Sequence, residues 1–241
     1  MINFTKVLSD QNGRGKIISG ILVIGSIWGL LDAITVKYIS PLFHVRGLCL
    51  CPLTVVFLGF LLMSLALVIY KKPMMLIGIG IIAALFKLLN FAVISLPIIN
   101  GHTVYQPVVN PALASITASL VYALFASFLM NKLENNIYIR IIVGVLAGFL
   151  STAAFIYSAF YITHTPPLII STTWQMLLPF HGPVAAALGA IFLTTGYWAA
   201  SKIQLRANFL QIKKPLFYYL GSGAIVIFSV IISIIIHWIS V

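Results

Sequence analysis

The chain alternates long apolar runs with short polar breaks. The apolar runs cover 17–35, 53–70, 74–96, 111–130, 138–162, 184–201 and 216–238. Each is close to the ~20 residues a helix needs to cross a bilayer. The breaks are "KKP" at 71–73, "NKLENN" at 131–136 and "SKIQLRANFLQIKKP" at 201–215. This pattern predicts an all-α polytopic transmembrane helix bundle of about seven spans. A single integral membrane domain would fill 1–241, with 1–16 as a cytoplasmic N-terminal segment and 17–238 as the bundle.

Three of the descending runs start at or near a proline: Pro52, Pro111 and Pro183. Proline suits the first helical turn, where its missing N–H has no partner to lose. The segment 163–183, "THTPPLIISTTWQMLLPFHGP", is long, apolar and uncharged but too short to span. It is expected to be re-entrant or interfacial, with Trp174 at headgroup depth.

Composition agrees with the pattern. The chain is 61% hydrophobic and 7% charged, with a mean hydropathy of +1.13. A soluble domain of this size carries several times more charge. The net charge of +11 does not point to nucleic acid, because the basic residues lie in short clusters between apolar runs. With a cytoplasmic N-terminus, the inner segments hold Lys6, Arg14, Lys16, Lys71, Lys72, Lys132, Arg140, Lys202, Arg206, Lys213 and Lys214. The outer segments hold only Lys37 and Arg46. Positive residues collect on the cytoplasmic side, so the N-terminus is expected inside, the C-terminus outside, and the protein in the cell membrane. His44, His102, His164, His181 and His237 all fall toward the outer side. They read either as interfacial histidines bonded to water or as ligands.

Acidic residues are few: Asp10, Asp32 and Glu134. Asp32 is the one inside an apolar run, "GSIWGLLDAITVKY". At ~1.5 Å per residue it lies ~22 Å along the first span. Lys87, in "LFKLLNF", lies ~20 Å along the third, which runs the same way. Opposite charges at equal depth on parallel helices make a pair, and an unpaired charge there would cost at least ~2.5 kcal/mol. Asn90, one turn further, would extend the polar cluster. The cluster reads either as the floor of an outward-facing pocket, with Asp32, Lys87, Asn90, His102, Trp174 and His181 as its ligand-binding residues, or as a structural pair locking two helices.

Small residues recur at four-residue spacing in the first span (Gly25, Gly29, Ala33) and the fifth (Gly144, Gly148). Such stripes let helix backbones approach closely. The fourth span presents Ala112, Ser115, Ser119, Tyr122 and Ala126 along one face. The stripe of the first span is the least interrupted and is the candidate for a partner-facing surface.

No motif for covalent or nucleotide chemistry is present. "GxxxxGK[ST]" and "HExxH" are absent, and "LGSGA" at 220–224 lacks the spacing of a nucleophile elbow. Cys49 and Cys51, near His44, lack the spacing of a structural zinc site. No cofactor, metal or catalytic residue is expected, and the chain is not read as an enzyme.

With its small size, first-span stripe and long first outer loop, "VKYISPLFHVRGLCLCP", the chain resembles the substrate-binding (S) components of energy-coupling-factor transporters. The resemblance covers spans one to six. It implies that Gly25, Gly29 and Ala33 dock on a transmembrane coupling subunit and that the first outer loop covers a pocket open to the outside. Partner ATPases would drive release of a captured small solute. That family commonly has six spans, so the seventh run departs from it. The competing readings are a stand-alone secondary transporter using Asp32 as a proton or sodium site, a membrane enzyme acting on a lipid-linked substrate through His164 and His181, and a structural subunit without a solute.

Overall fold

The computed structural model describes residues 4–35, 44–45, 48–88, 98–99, 102–103, 106–163 and 174–238. Seven helices follow one another in these residues: α1 (Phe4–Ile34), α2 (Leu50–Tyr70), α3 (Met75–Leu88), α4 (Gln106–Asn135), α5 (Ile137–Thr163), α6 (Trp174–Lys213) and α7 (Pro215–Trp238). Two antiparallel two-residue ladders accompany them, His44–Val45 with Leu48–Cys49 and Ile98–Ile99 with His102–Thr103. Five helices are long and apolar enough to cross a membrane: α1, α4, α5, α6 and α7. The described parts of α2 and α3 form shorter apolar helices, Val56–Tyr70 and Met75–Leu88.

Six helices close a ring in the order α1, α3, α4, α5, α6, α2, and α2 also reaches across to α3 and α4. The seventh lies outside the ring, mainly against α1 and lightly against α6. Because α2 is enclosed, its bulky side chains make the core: Phe57, Phe60, Met63 and Leu67 are fully buried beside Trp28 of α1, Leu76 and Ile79 of α3, and Tyr122 of α4. Phe60 meets Tyr122 edge-on at 5.6 Å between ring centroids, and Ser64 Oγ and Tyr122 Oη share a hydrogen bond of 2.8 Å. Leu124, Phe128, Ile142, Tyr161 and Ile191 are exposed, the inverted surface expected where the solvent is lipid.

Glycines set the closest approaches. A Cβ on Gly144 would meet the backbone of Ala190 at 2.6 Å, and one on Gly148 would collide with the Ala185 carbonyl. The α5 stripe is therefore an internal contact with α6. The expected face of α4 is likewise internal: Ala112, Ser115, Ser119, Tyr122 and Ala126 are all buried.

The breaks at 71–73 and 131–136 are real corners. Lys71 takes a left-handed backbone (φ 52°), and its N–H bonds the Leu67 carbonyl at 2.9 Å. Asn136 caps α5, its Oδ1 accepting from the N–H groups of Tyr138 and Ile139 at 2.8 and 3.4 Å. Arg140 turns back to close α4, donating from Nε to the Leu133 carbonyl and from Nη2 to the Glu134 carbonyl, both at 2.6 Å. A cation at a helix C-terminus also complements the dipole.

Elsewhere the helices overrun the expected boundaries. The supposed cytoplasmic segment 1–16 is helical from Phe4 onward. The break at 201–215 is helical through Lys213: Lys, Gln, Leu, Arg and Ala are strong helix formers, and no Gly or Pro interrupts them before Pro215. Pro111 and Pro183 lie inside α4 and α6 rather than in their first turns. Membrane helices tolerate such prolines, because neighbouring groups satisfy the backbone they free. Part of the supposed interfacial segment, Trp174–Phe180, is continuous with α6, and 164–173 lies outside the described residues. Of the expected span 74–96, α3 accounts for Met75–Leu88.

Candidate functional site

Parallel packing of α1 on α3 builds the site. Gly20 faces Met75, Gly25 faces Ile79 and Ile82, and Gly29 faces Phe86. The two helices thus advance together from the same end. A Cβ on Gly25 would lie 2.6 Å from the Ile82 Cβ, and one on Gly29 would collide with the Phe86 Cβ. Asp32, three residues beyond Gly29, and Lys87, one beyond Phe86, therefore come within reach of each other.

The two charges form an ion pair, Lys87 Nζ to Asp32 Oδ2 at 2.8 Å. Both residues are buried, at 3% and 5% exposure. The ammonium also donates to Ser115 Oγ at 2.6 Å and to the Pro111 carbonyl at 3.1 Å, both on α4. Three N–H donors therefore have three acceptors on two other helices. The Trp28 ring, one turn before Asp32, lies 5.8 Å from Nζ. One lysine joins α1, α3 and α4. Such a pair needs this degree of satisfaction: desolvating two charges is expensive, and good geometry with extra hydrogen bonds offsets it.

The other candidate ligands fall differently. Asn90 lies outside the described residues. His102 sits in the second ladder, paired with Ile99. Trp174 opens α6. His181 is buried on α6, a helix that packs on α5 and α2, while the ion pair joins α1, α3 and α4. The structure thus unites Asp32 and Lys87 and adds Ser115, Pro111 and Trp28. Ser115 was visible as part of an inward α4 face. Its bond to Lys87 had no sequence signal, because it depends on which helices are neighbours.

The docking assignment for the first-span stripe needs correction. Gly25 and Gly29 are buried against α3 of the same chain, so they offer no surface to a separate subunit. Four-residue spacing of small residues signals close approach but not whose helix approaches. The side chain of Ala33 is not among those described.

The opposite end of the bundle carries the basic corners. Lys71 Nζ meets Glu134 Oε2 at 3.3 Å, with the lysine side chain 56% exposed. The Arg140 guanidinium stacks 4.8 Å from the Tyr197 ring centroid. Gln204 Nε2 donates to the Val68 carbonyl at 3.2 Å, and the hydroxyls of Tyr70 and Tyr218 share a 2.6 Å hydrogen bond. Among the described residues no group of three His, Cys, Asp or Glu side chains comes together as a metal set.

Comparison of the chain with protein-family profiles, with curated proteins and with solved structures finds no match.

Proposed function

We propose that this chain is a multi-pass cell-membrane protein that binds a small polar solute at the end of the bundle carrying Asp32 and Lys87, as the capturing subunit of an uptake system. The observation that carries the reading is the buried pair itself. A charge pair inside an apolar bundle is a functional candidate by default. This one ties three helices, α1, α3 and α4, together through a single lysine. In this reading the basic end faces the cytoplasm and the pair faces outward, by the rule that positive residues stay inside.

The pair would act as a polar floor. A solute carrying a carboxylate or an amine competes for one member, and the vacated member keeps its remaining partners. For Lys87 these are Ser115 and the Pro111 carbonyl. Exchange of partners couples occupancy to the packing of three helices, which is the bistable element a transport cycle needs. Inward release would rely on partner ATPases. A coupling subunit would have to dock elsewhere than on Gly25 and Gly29.

Occupation of that stripe by α3 favours a second reading, a stand-alone transporter in which Asp32 takes a proton or sodium ion and releases Lys87. Gentle purification from the native membrane, followed by mass spectrometry, separates the two. A retained small molecule with a copurifying ATPase supports the first reading. Solute uptake into proteoliposomes driven by an ion gradient alone supports the second. A bundle that carries no solute in either assay removes both.

A further inference from the structure

The last third of α6 carries a feature that the solute reading does not use. At forty residues, α6 is ~60 Å long, about twice the hydrocarbon thickness. Tyr197 is level with Arg140 near the start of α5, and Gln204 is level with the end of α2. Residues beyond Gln204 therefore run past both corners, by ~13 Å at Lys213.

This overhang is two-sided. Gln204 bonds α2 and Gln211 is buried, which fixes the inward face. Lys202, Arg206, Phe209 and Lys213 follow at steps of four, three and four residues and share the opposite, exposed face. Leu205 and Ile212, exposed at 80% and 69%, flank them. Lys214 continues the charge, its Nζ 5.8 Å from the Phe217 ring. No acidic residue occurs after Glu134 in the sequence, and Glu134 is engaged by Lys71.

We propose that this stripe is a binding site for anionic phospholipid in the leaflet at the basic end. The charge sign selects an anion. The interleaved Phe209, with Leu205 and Ile212 alongside, selects one that brings acyl chains, since a soluble anion leaves those side chains in water. Lysine and arginine extend their charged heads to the phosphate layer while their stems lie along apolar surface. Each such residue contributes about a fivefold gain in affinity for an acidic surface. The inference stands on the membrane setting alone and does not depend on the solute reading.

The test titrates the purified full chain in neutral detergent with phosphatidylglycerol or phosphatidylcholine, followed by native mass spectrometry and thermal unfolding. Phosphatidylglycerol should bind and raise the unfolding temperature, and phosphatidylcholine should not. The variant Lys202→Gln/Arg206→Gln/Lys213→Gln should bind it at least about tenfold more weakly, while Lys132→Gln binds like the unaltered chain. If the triple variant fails to fold, Lys202→Arg/Lys213→Arg should retain binding, and added salt should displace the lipid from the unaltered chain. Equal binding of the two lipids overturns the proposal, as does full retention by a folded triple variant. Reproduction of the shift by inorganic phosphate or by poly-glutamate also overturns it, and reassigns the stripe to a soluble anion or an acidic protein.

Discussion

The ammonium of Lys87 lies 2.8 Å from a carboxylate oxygen of Asp32, across two helices whose glycines keep them in parallel register. The contact spans 55 residues of sequence and joins α1 to α3. Removing Lys87 leaves a buried carboxylate without its cation, and neutralising Asp32 leaves a buried ammonium with only the neutral Ser115 and Pro111 acceptors. Asp32→Asn and Lys87→Met should each destabilise the bundle by ~3–5 kcal/mol. The double variant should cost clearly less than the two together. A double-mutant cycle read by thermal unfolding in detergent checks this, and simple additivity would mean that the two charges are not coupled.

The register itself is testable at Gly25 and Gly29. Alanine at either position drives a Cβ into Ile82 or Phe86, and overpacking of this kind costs ~1–3 kcal/mol. Phe86→Ala removes the ring atoms that Gly29→Ala would strike but keeps the Cβ, so the pair should show only partial rescue. A docking stripe would behave otherwise: Gly29→Ala would leave the isolated chain stable and weaken only its assembly.

Arg140 closes α4 with two carbonyl bonds and lies over Tyr197 of α6. Arg140→Ala should destabilise by ~2 kcal/mol. Arg140→Lys should recover only part of this, because an ammonium lacks the planar fork that reaches both carbonyls and stacks on the ring. Unfolding of the two variants side by side measures the difference.

How much of this was readable from sequence varied with the kind of interaction. The corner at Lys71–Pro73 and the cap at Asn136 are local events, written in proline, asparagine and charge. The meeting of Asp32 and Lys87 was readable because equal depth on parallel spans is simple arithmetic once spans are drawn. The fate of Gly25 and Gly29 was not, since a small-residue stripe specifies a close neighbour without naming it. Charge at 201–215 marks a polar break in the sequence, but Lys202, Arg206 and Lys213 are good helix formers and α6 continues through them. Ser115 and the Pro111 carbonyl became partners of Lys87 through ring order, which no single segment encodes.

Sidedness gives a further check. In the proposed orientation Cys49 and Cys51, at the start of α2, lie at the outer boundary. A membrane-impermeant thiol reagent should modify at least one of them in intact cells. Labelling confined to inverted vesicles would reverse the orientation and move the solute site to the cytoplasmic face.

The solute site itself is tested most directly by comparing what three purified proteins retain. The unaltered chain, Asp32→Asn and Lys71→Gln are isolated gently from the same membranes, checked for folding, and analysed for bound small molecules by mass spectrometry. A molecule is expected on the unaltered chain and on Lys71→Gln, whose ion pair with Glu134 is at the far end of the bundle, and is expected to be lost from Asp32→Asn. A folded Asp32→Asn protein that holds the same molecule as fully as the unaltered chain would contradict it.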